Sequence, residues 1–301
     1  MEELELLKRQ IDTARDLQAL VRVMKSLAAS RIREYDQAVK SIEEYGQTVA
    51  AGLQVVMQQQ PKQMTTPVRP RNRLGAIVLG SDQGLCGNFN ERVAQFAIAK
   101  MEELSVAPES RAIIVVGERP ANYLENAGLR LEDRLPFVGD HAAINPVIHR
   151  VLEKVEDWDL RGRMERIALF YNKPAEGAAF QPEMQVLLPI DMAWLQGLVA
   201  RKWPGRTIPT FSLDWNQLFA GLVSQHIFFA IYRAFVESMA SENMSRLRAM
   251  QAAQKNIDRR LDDLQAMHNR LRQSSITGEL LDITTGYQAV IGTGASANGN
   301  V

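Results

Sequence analysis

The chain has one cysteine, four histidines and no excess of either charge. The single thiol, Cys86, excludes an internal disulfide and a thiolate zinc cluster. His141, His149, His226 and His268 lie far apart and show no ligand spacing. Lys+Arg and Asp+Glu both number 35, so no bulk field favours nucleic acid or an anionic membrane. No run of about 18 uncharged apolar residues occurs, so no transmembrane segment is expected. The nearest approach, Phe219 to Val236, is interrupted by Gln225, His226 and Arg233. The N-terminus, MEELELLKRQ, is acidic from its second residue and does not read as a secretory signal. These absences point to a soluble intracellular protein.

Proline and glycine are missing from two long stretches, and that is the strongest positive signal. From Leu4 to about Met57 there is no proline, and glycine appears only at Gly46 and Gly52. Apolar side chains recur at Leu4, Leu7, Ile11, Ala14, Leu17, Val21, Met24, Ala28, Ile32, Tyr35, Val39, Ile42, Tyr45, Val49, Gly52 and Val56. The steps are three or four, close to the 3.5-residue period of a left-handed coiled coil. A helix of this length spans roughly 80 Å. From Trp215 to about Ile291 proline is again absent, and Asp214 stands ready as a cap. Its seam runs Leu247, Met250, Ala253, Ile257, Leu261, Leu264, Met267 and Leu271.

Between the helices the texture changes. RLGAIVLGS, RAIIVVG and RIALFYN are apolar runs suited to buried parallel strands. Helices are expected near Asn88–Leu104, Arg119–Ala127 and Ala142–Val155. MQVLLPI, residues 184–190, follows the third strand too closely for a crossover helix and reads as an antiparallel edge. The predicted fold is a central α/β, Rossmann-like domain with long N- and C-terminal helices forming an antiparallel left-handed coiled coil. The expected divisions are an N-terminal helix over 1–58, a linker over 59–72 and the α/β domain over 73–191. A connection over 192–213, a C-terminal helix over 214–292 and a disordered tail over 293–301 follow.

Three motifs then converge. VMKSLAASRIR (23–33), SDQGLCGNFN (81–90) and RQSSITGELLDITTGYQA (272–289) stand in that order within the long-helix frame. Together they resemble the gamma-subunit family of F-type ATP synthases. Departures occur at Gln83, where the family has arginine, at Tyr287, where it has alanine, and at Asn88 and Phe89. They imply a divergent bacterial branch, with the sodium-associated second F-type ATPases as one candidate.

The resemblance implies a rotor inside a hexamer of alpha and beta subunits, with no catalytic, cofactor or metal site of its own. Met24, Lys25, Arg33, Arg272, Gln273, Thr277 and Glu279 are the implied contacts with catalytic subunits. Leu280, Leu281, Ile283, Tyr287, Val290 and Ile291 form the implied rotor tip. An epsilon subunit and the membrane c-ring are the further implied partners, with no nucleic acid. The implied place is peripheral, on the cytoplasmic face of a bacterial plasma or a thylakoid membrane.

The residues leave other readings open. Gly80, Gly84 and Gly87 at a strand end invite a nucleotide site, but their spacing matches no phosphate-binding motif, and a tight turn is favoured. Cys86 has no histidine beside it and reads as a small buried residue. Asp262 and Asp263 read as a solvated face. A Rossmann-like enzyme with helical arms and an unrelated coiled-coil scaffold are the rival classes.

Overall fold

The computed structural model describes residues 2–59, 72–137, 144–160, 162–203, 205–207 and 209–296; within these, the side chains of 160 and 286–296 lie outside the description. The expected linker falls almost wholly outside it. The helices are α1 (Glu2–Gln58), α2 (Phe89–Glu103), α3 (Glu118–Asn126), α4 (Ile144–Leu160), α5 (Met192–Ala200) and α6 (Trp215–Ser296). The strands are β1 (Leu74–Leu79), β2 (Arg111–Val116), β3 (Asp133–Leu135), β4 (Arg166–Lys173) and β5 (Gln181–Leu188). Two compact units result: Met1–Ser26 with Met250–Val301, and Leu27–Ala249.

In the larger unit the strands run in the order β3-β2-β1-β4-β5. All pairs are parallel except β4 with β5. The expected antiparallel edge is therefore present and begins three residues earlier. β1 is buried along its whole length because helices cover both faces of the sheet. On one face α2 and α3 pack Val93, Ala97, Met101 and Leu124 against Ala76, Val78 and Phe170. On the other, α4 and α6 enclose Ile77, Leu79, Ile114 and Leu169 with Trp158, Ile231 and Phe235. Trp158 lies over Gly75, where a Cβ would come within 2.5 Å of its ring.

Three expectations need correction. The 192–213 segment is not a bare connection: α5 occupies its start, with the Asp191 carboxylate accepting from Ala193 N at 2.8 Å. Its Leu195 and Leu198 bury against Val49, Leu53 and Met57 of α1. The short strand β3 was not foreseen, since only three residues pair with β2. The tail does not begin at 293, because α6 continues to Ser296; residues 297–301 lie outside the described residues. Asp214 caps α6 as expected, accepting from Asn216 N at 2.9 Å and Gln217 N at 3.2 Å.

The two long helices pair antiparallel within each unit. In the smaller, Leu7 and Ile11 pack with Leu261 and Leu264, and Gln18 donates to Asp258 at 2.5 Å. In the larger, Tyr45 donates to Gln225 and Arg233 meets Glu43 at 3.9 Å. The seam is shifted by one residue at several heptads. Leu17, Tyr45 and Met267 are exposed. Gln18, Gly46 and His268 take the inward positions beside them, and Leu53 is wholly buried where Gly52 was expected. The apolar neighbour was the wrong choice because the seam accepts polar and small residues that find partners. Gly46 illustrates this, since a Cβ there would lie 2.4 Å from the Phe229 ring.

An 18-residue window of α6 has mean hydropathy 1.3, which by length and composition suffices to cross a membrane. No such segment was expected. Within the apolar stretch, Ile227, Ala230, Ile231, Ala234, Phe235 and Val236 lie in the sheet core, and the window as a whole is 33% buried, so packing accounts for part of its hydropathy.

Candidate functional site

The C-terminal ends of β1 and β2 are where an open α/β sheet usually binds a ligand. Here the chain's own residues fill that crevice. β1 runs through Gly80 into the loop 81–90, which folds back over α6. Asp82 ties the loop to the sheet by accepting from Glu118 N and Phe137 N, both at 2.7 Å. The first contact caps α3, placing a carboxylate at the positive end of its dipole. Asn90 accepts from Ser81 N at 2.9 Å and donates to Ser81 Oγ at 3.0 Å. Gly117 crosses the same end with φ +97°, and a Cβ there would lie 2.8 Å from Ser81 N. Of the three glycines read as a turn, Gly87 has φ +61°, a Cβ on Gly80 would lie 2.5 Å from Pro120, and one on Gly84 would lie 3.3 Å from Arg119, so the first turns the chain and the other two permit close packing.

Cys86 is 1% exposed. Burial pushes its thiol above the usual range, and the nearby Glu242 carboxylate adds to this. A raised thiol is a poor nucleophile at neutral pH.

A feature missed in the sequence lies against this loop. Glu237, Ser238, Ser241, Glu242, Asn243, Ser245 and Arg246 of α6 are all buried. Arg246 pairs with Glu242 at 2.5 Å and reaches Gly84 O at 3.4 Å. Ser245 Oγ donates to Cys86 O at 2.6 Å. Glu237 accepts from Tyr171 at 3.0 Å and from Arg233 at 2.7 Å. Burial raises the Glu242 carboxyl despite the opposing effect of Arg246 and of Arg31 from α1. It also raises the Tyr171 hydroxyl, with the charge on Glu237 reinforcing the shift. The signal available was a polar run, ESMASENMSR, inside an otherwise apolar helix; read alone it resembles a solvated face.

The motif-derived contact residues fall in separate places. Met24 and Lys25 are half-buried in the smaller unit, with Lys25 Nζ donating to Gln254 at 2.7 Å. Arg33 is exposed on the part of α1 belonging to the larger unit. Arg272, Gln273, Thr277 and Glu279 are exposed near the end of α6. Thr277 Oγ1 donates to Gln273 O at 2.9 Å, a back-bond within the helix. Some 20 residues of helix, roughly 30 Å, separate these from Gln254. Leu280, Leu281 and Ile283 are exposed, whereas the side chains of Tyr287, Val290 and Ile291 lie outside those described. Among the described residues, no group of three His, Cys, Asp or Glu is placed to hold a metal.

Fold and site thus define an α/β protein with long N- and C-terminal helices, its ligand crevice closed by its own polar residues. The ATP synthase family model matches residues 3–290. The chain is 26% identical over 286 residues to the ATP synthase gamma chain of Pasteurella multocida, covering 94% of this chain and 98% of that one. The gamma chain of Bdellovibrio bacteriovorus is also 26% identical, over 301 residues, with coverage of 97% and 100%. A chain of the Euglena gracilis mitochondrial ATP synthase in an OSCP/F1/c-ring structure superposes with TM-score 0.70 at 16% identity, covering 100% of this chain and 97% of that one. One from the central stalk and c-ring of the Tetrahymena thermophila enzyme gives 0.56 at 19%, covering 78% and 99%. The chain belongs to the gamma-subunit family of the F-type ATP synthases, the non-catalytic central-stalk subunits of those complexes.

Proposed function

We propose that the chain turns inside a ring of alternating alpha and beta subunits and couples ion flow through a membrane c-ring to ATP synthesis or hydrolysis. The family match over residues 3–290 carries this reading. A single shaft touches each catalytic subunit differently. A contact that favours an open over a closed site shifts nucleotide affinity by its differential energy, about 1.4 kcal/mol per tenfold. Rotation exchanges those contacts in sequence.

Arg272, Gln273, Thr277 and Glu279 supply directional, breakable contacts with a catalytic subunit. Exposed arginine suits that task, because its planar fork gives paired, oriented hydrogen bonds. Leu280, Leu281, Ile283, Tyr287, Val290 and Ile291 turn in an apolar sleeve, where non-directional attraction opposes rotation little. Met24, Lys25 and Arg33 meet catalytic subunits through α1. The α/β portion, residues 73–191, meets the c-ring and an epsilon subunit, which holds the chain peripherally on the cytoplasmic face. The departures at Gln83, Asn88, Phe89 and Tyr287, with 26% identity to the two gamma chains, support a divergent bacterial branch.

The test is ATP-driven ion pumping by the reconstituted complex. Omitting the chain abolishes pumping. The double variant Arg272→Ala/Gln273→Ala lowers coupled turnover about tenfold while the chain stays folded, the loss expected of charged hydrogen bonds. Full pumping without the chain would refute the rotor reading; full pumping by the double variant would refute the contact assignment.

A further inference from the structure

A long helix that carries twist must not turn against the body it drives. The sheet core in the larger unit meets α6 largely through small and apolar residues, among them Ala230, Ala234 and Ala240. Such packing is non-directional. Directional contacts come instead from the buried polar belt. Ser245 and Arg246 reach the carbonyls of Cys86 and Gly84, the two residues that flank Leu85. Leu85 itself has φ +62° and is 58% exposed. A bulky residue keeps that conformation only where its surroundings enforce it. Two turns earlier, Tyr171 of β4 donates to Glu237 at 3.0 Å. Positions 237, 241 and 245 lie on one helix face by i, i+4 spacing. The contacts thus fix α6 to the sheet at two heights, about 12 Å apart.

We propose that Ser245, Arg246 and Tyr171 are positioning residues that key α6 rotationally to the α/β body, so that torque passes between them without slip; this rests on the rotor reading. Hydrogen bonds suit a key because they weaken steeply with misalignment, and a dry setting strengthens them. Glu242 keeps the Arg246 guanidinium aimed at the loop. The loop does not need to touch a partner for this role. Its fold transmits load from the strand end to the helix.

The test uses the assembled complex with a bead attached through Glu109→Cys, an exposed position on the α/β body. In the parent complex the bead turns with ATP and dwells at defined angles. The variant Ser245→Ala/Tyr171→Phe widens the angular variance at each dwell, because two directional contacts that stiffen the joint are lost. Its ratio of ions pumped to ATP hydrolysed falls, while hydrolysis itself stays near the parent rate and the chain stays folded at the assay temperature. Ser245→Thr with Tyr171 intact, which retains both hydroxyls, keeps the parent variance. If the double variant does not fold, Ser245→Ala alone is read in the same way. A folded variant with parent variance and parent coupling ratio overturns the key. A parent bead that does not turn with ATP overturns the rotor reading itself.

Discussion

Along α6, the belt from Glu237 to Arg246 is polar and buried, while Ile276, Leu280, Leu281 and Ile283 are apolar and exposed. Each stretch inverts the usual preference of its side chains. Ser245, Arg246 and Glu237 of the belt meet backbone carbonyls and a side chain of the same chain, at the loop 81–90 and on β4, whereas Ser241 Oγ and Arg246 Nε are buried without a hydrogen-bond partner. The end is apolar although nothing in the described chain covers it, and an exposed apolar stretch marks a surface meant for another molecule. Burial locates recognition within the chain, and the exposed end is where the proposed contact with another chain falls.

Mutation separates the two stretches most sharply through stability. Arg246→Ala removes the closest ion-pair partner of buried Glu242, and chemical denaturation should read a loss of up to about 3–5 kcal/mol. Next in size is Gly46→Ala. Its new methyl group meets the Phe229 ring, costing about 1–3 kcal/mol, and Phe229→Leu in the same chain should recover much of that.

A smaller effect separates the belt by pH. The folded-state Glu242 carboxyl lies above its ordinary value, so its contribution is fully present below that ordinary value. It is lost as pH rises through the folded-state value. Glu242→Gln should remove this decline, and stability measured from pH 4 upward would show it as a flatter profile. His226 has the opposite sign. Burial against Trp194 holds it below its ordinary range, so its contribution is lost as pH falls through the folded-state value. The smallest effect belongs to the exposed end. Leu280→Ser with Ile283→Ser should change stability by no more than about 0.5 kcal/mol. It should nonetheless weaken retention of the chain by the catalytic hexamer in size-exclusion assays.

The long helices, the parallel strands and the antiparallel edge were legible because hydrophobic period and proline placement report local geometry directly. The Asp214 cap was legible for the same reason. The seam was read one residue off at Leu17, Tyr45, Gly52 and Met267. Periodicity sees hydrophobicity, whereas the helix interface also accepts Gln18 with Asp258 and Gly46 beneath Phe229. α5 was hidden by its proline-bearing surroundings, although Asp191 offered a cap. The polar belt was invisible because its partners lie on distant segments: Ser245 and Cys86 are 159 residues apart. Of the motif residues, those in SDQGLCGNFN acquire a structural role here. Arg272, Gln273 and Glu279 stay at the surface, where only a partner can give them one.

The most direct measurement is native mass spectrometry after mixing the chain with the alpha and beta subunits of its own source. The account predicts a stable particle of three alpha, three beta and one copy of this chain. A chain that stays free, or pairs only with itself, would contradict it.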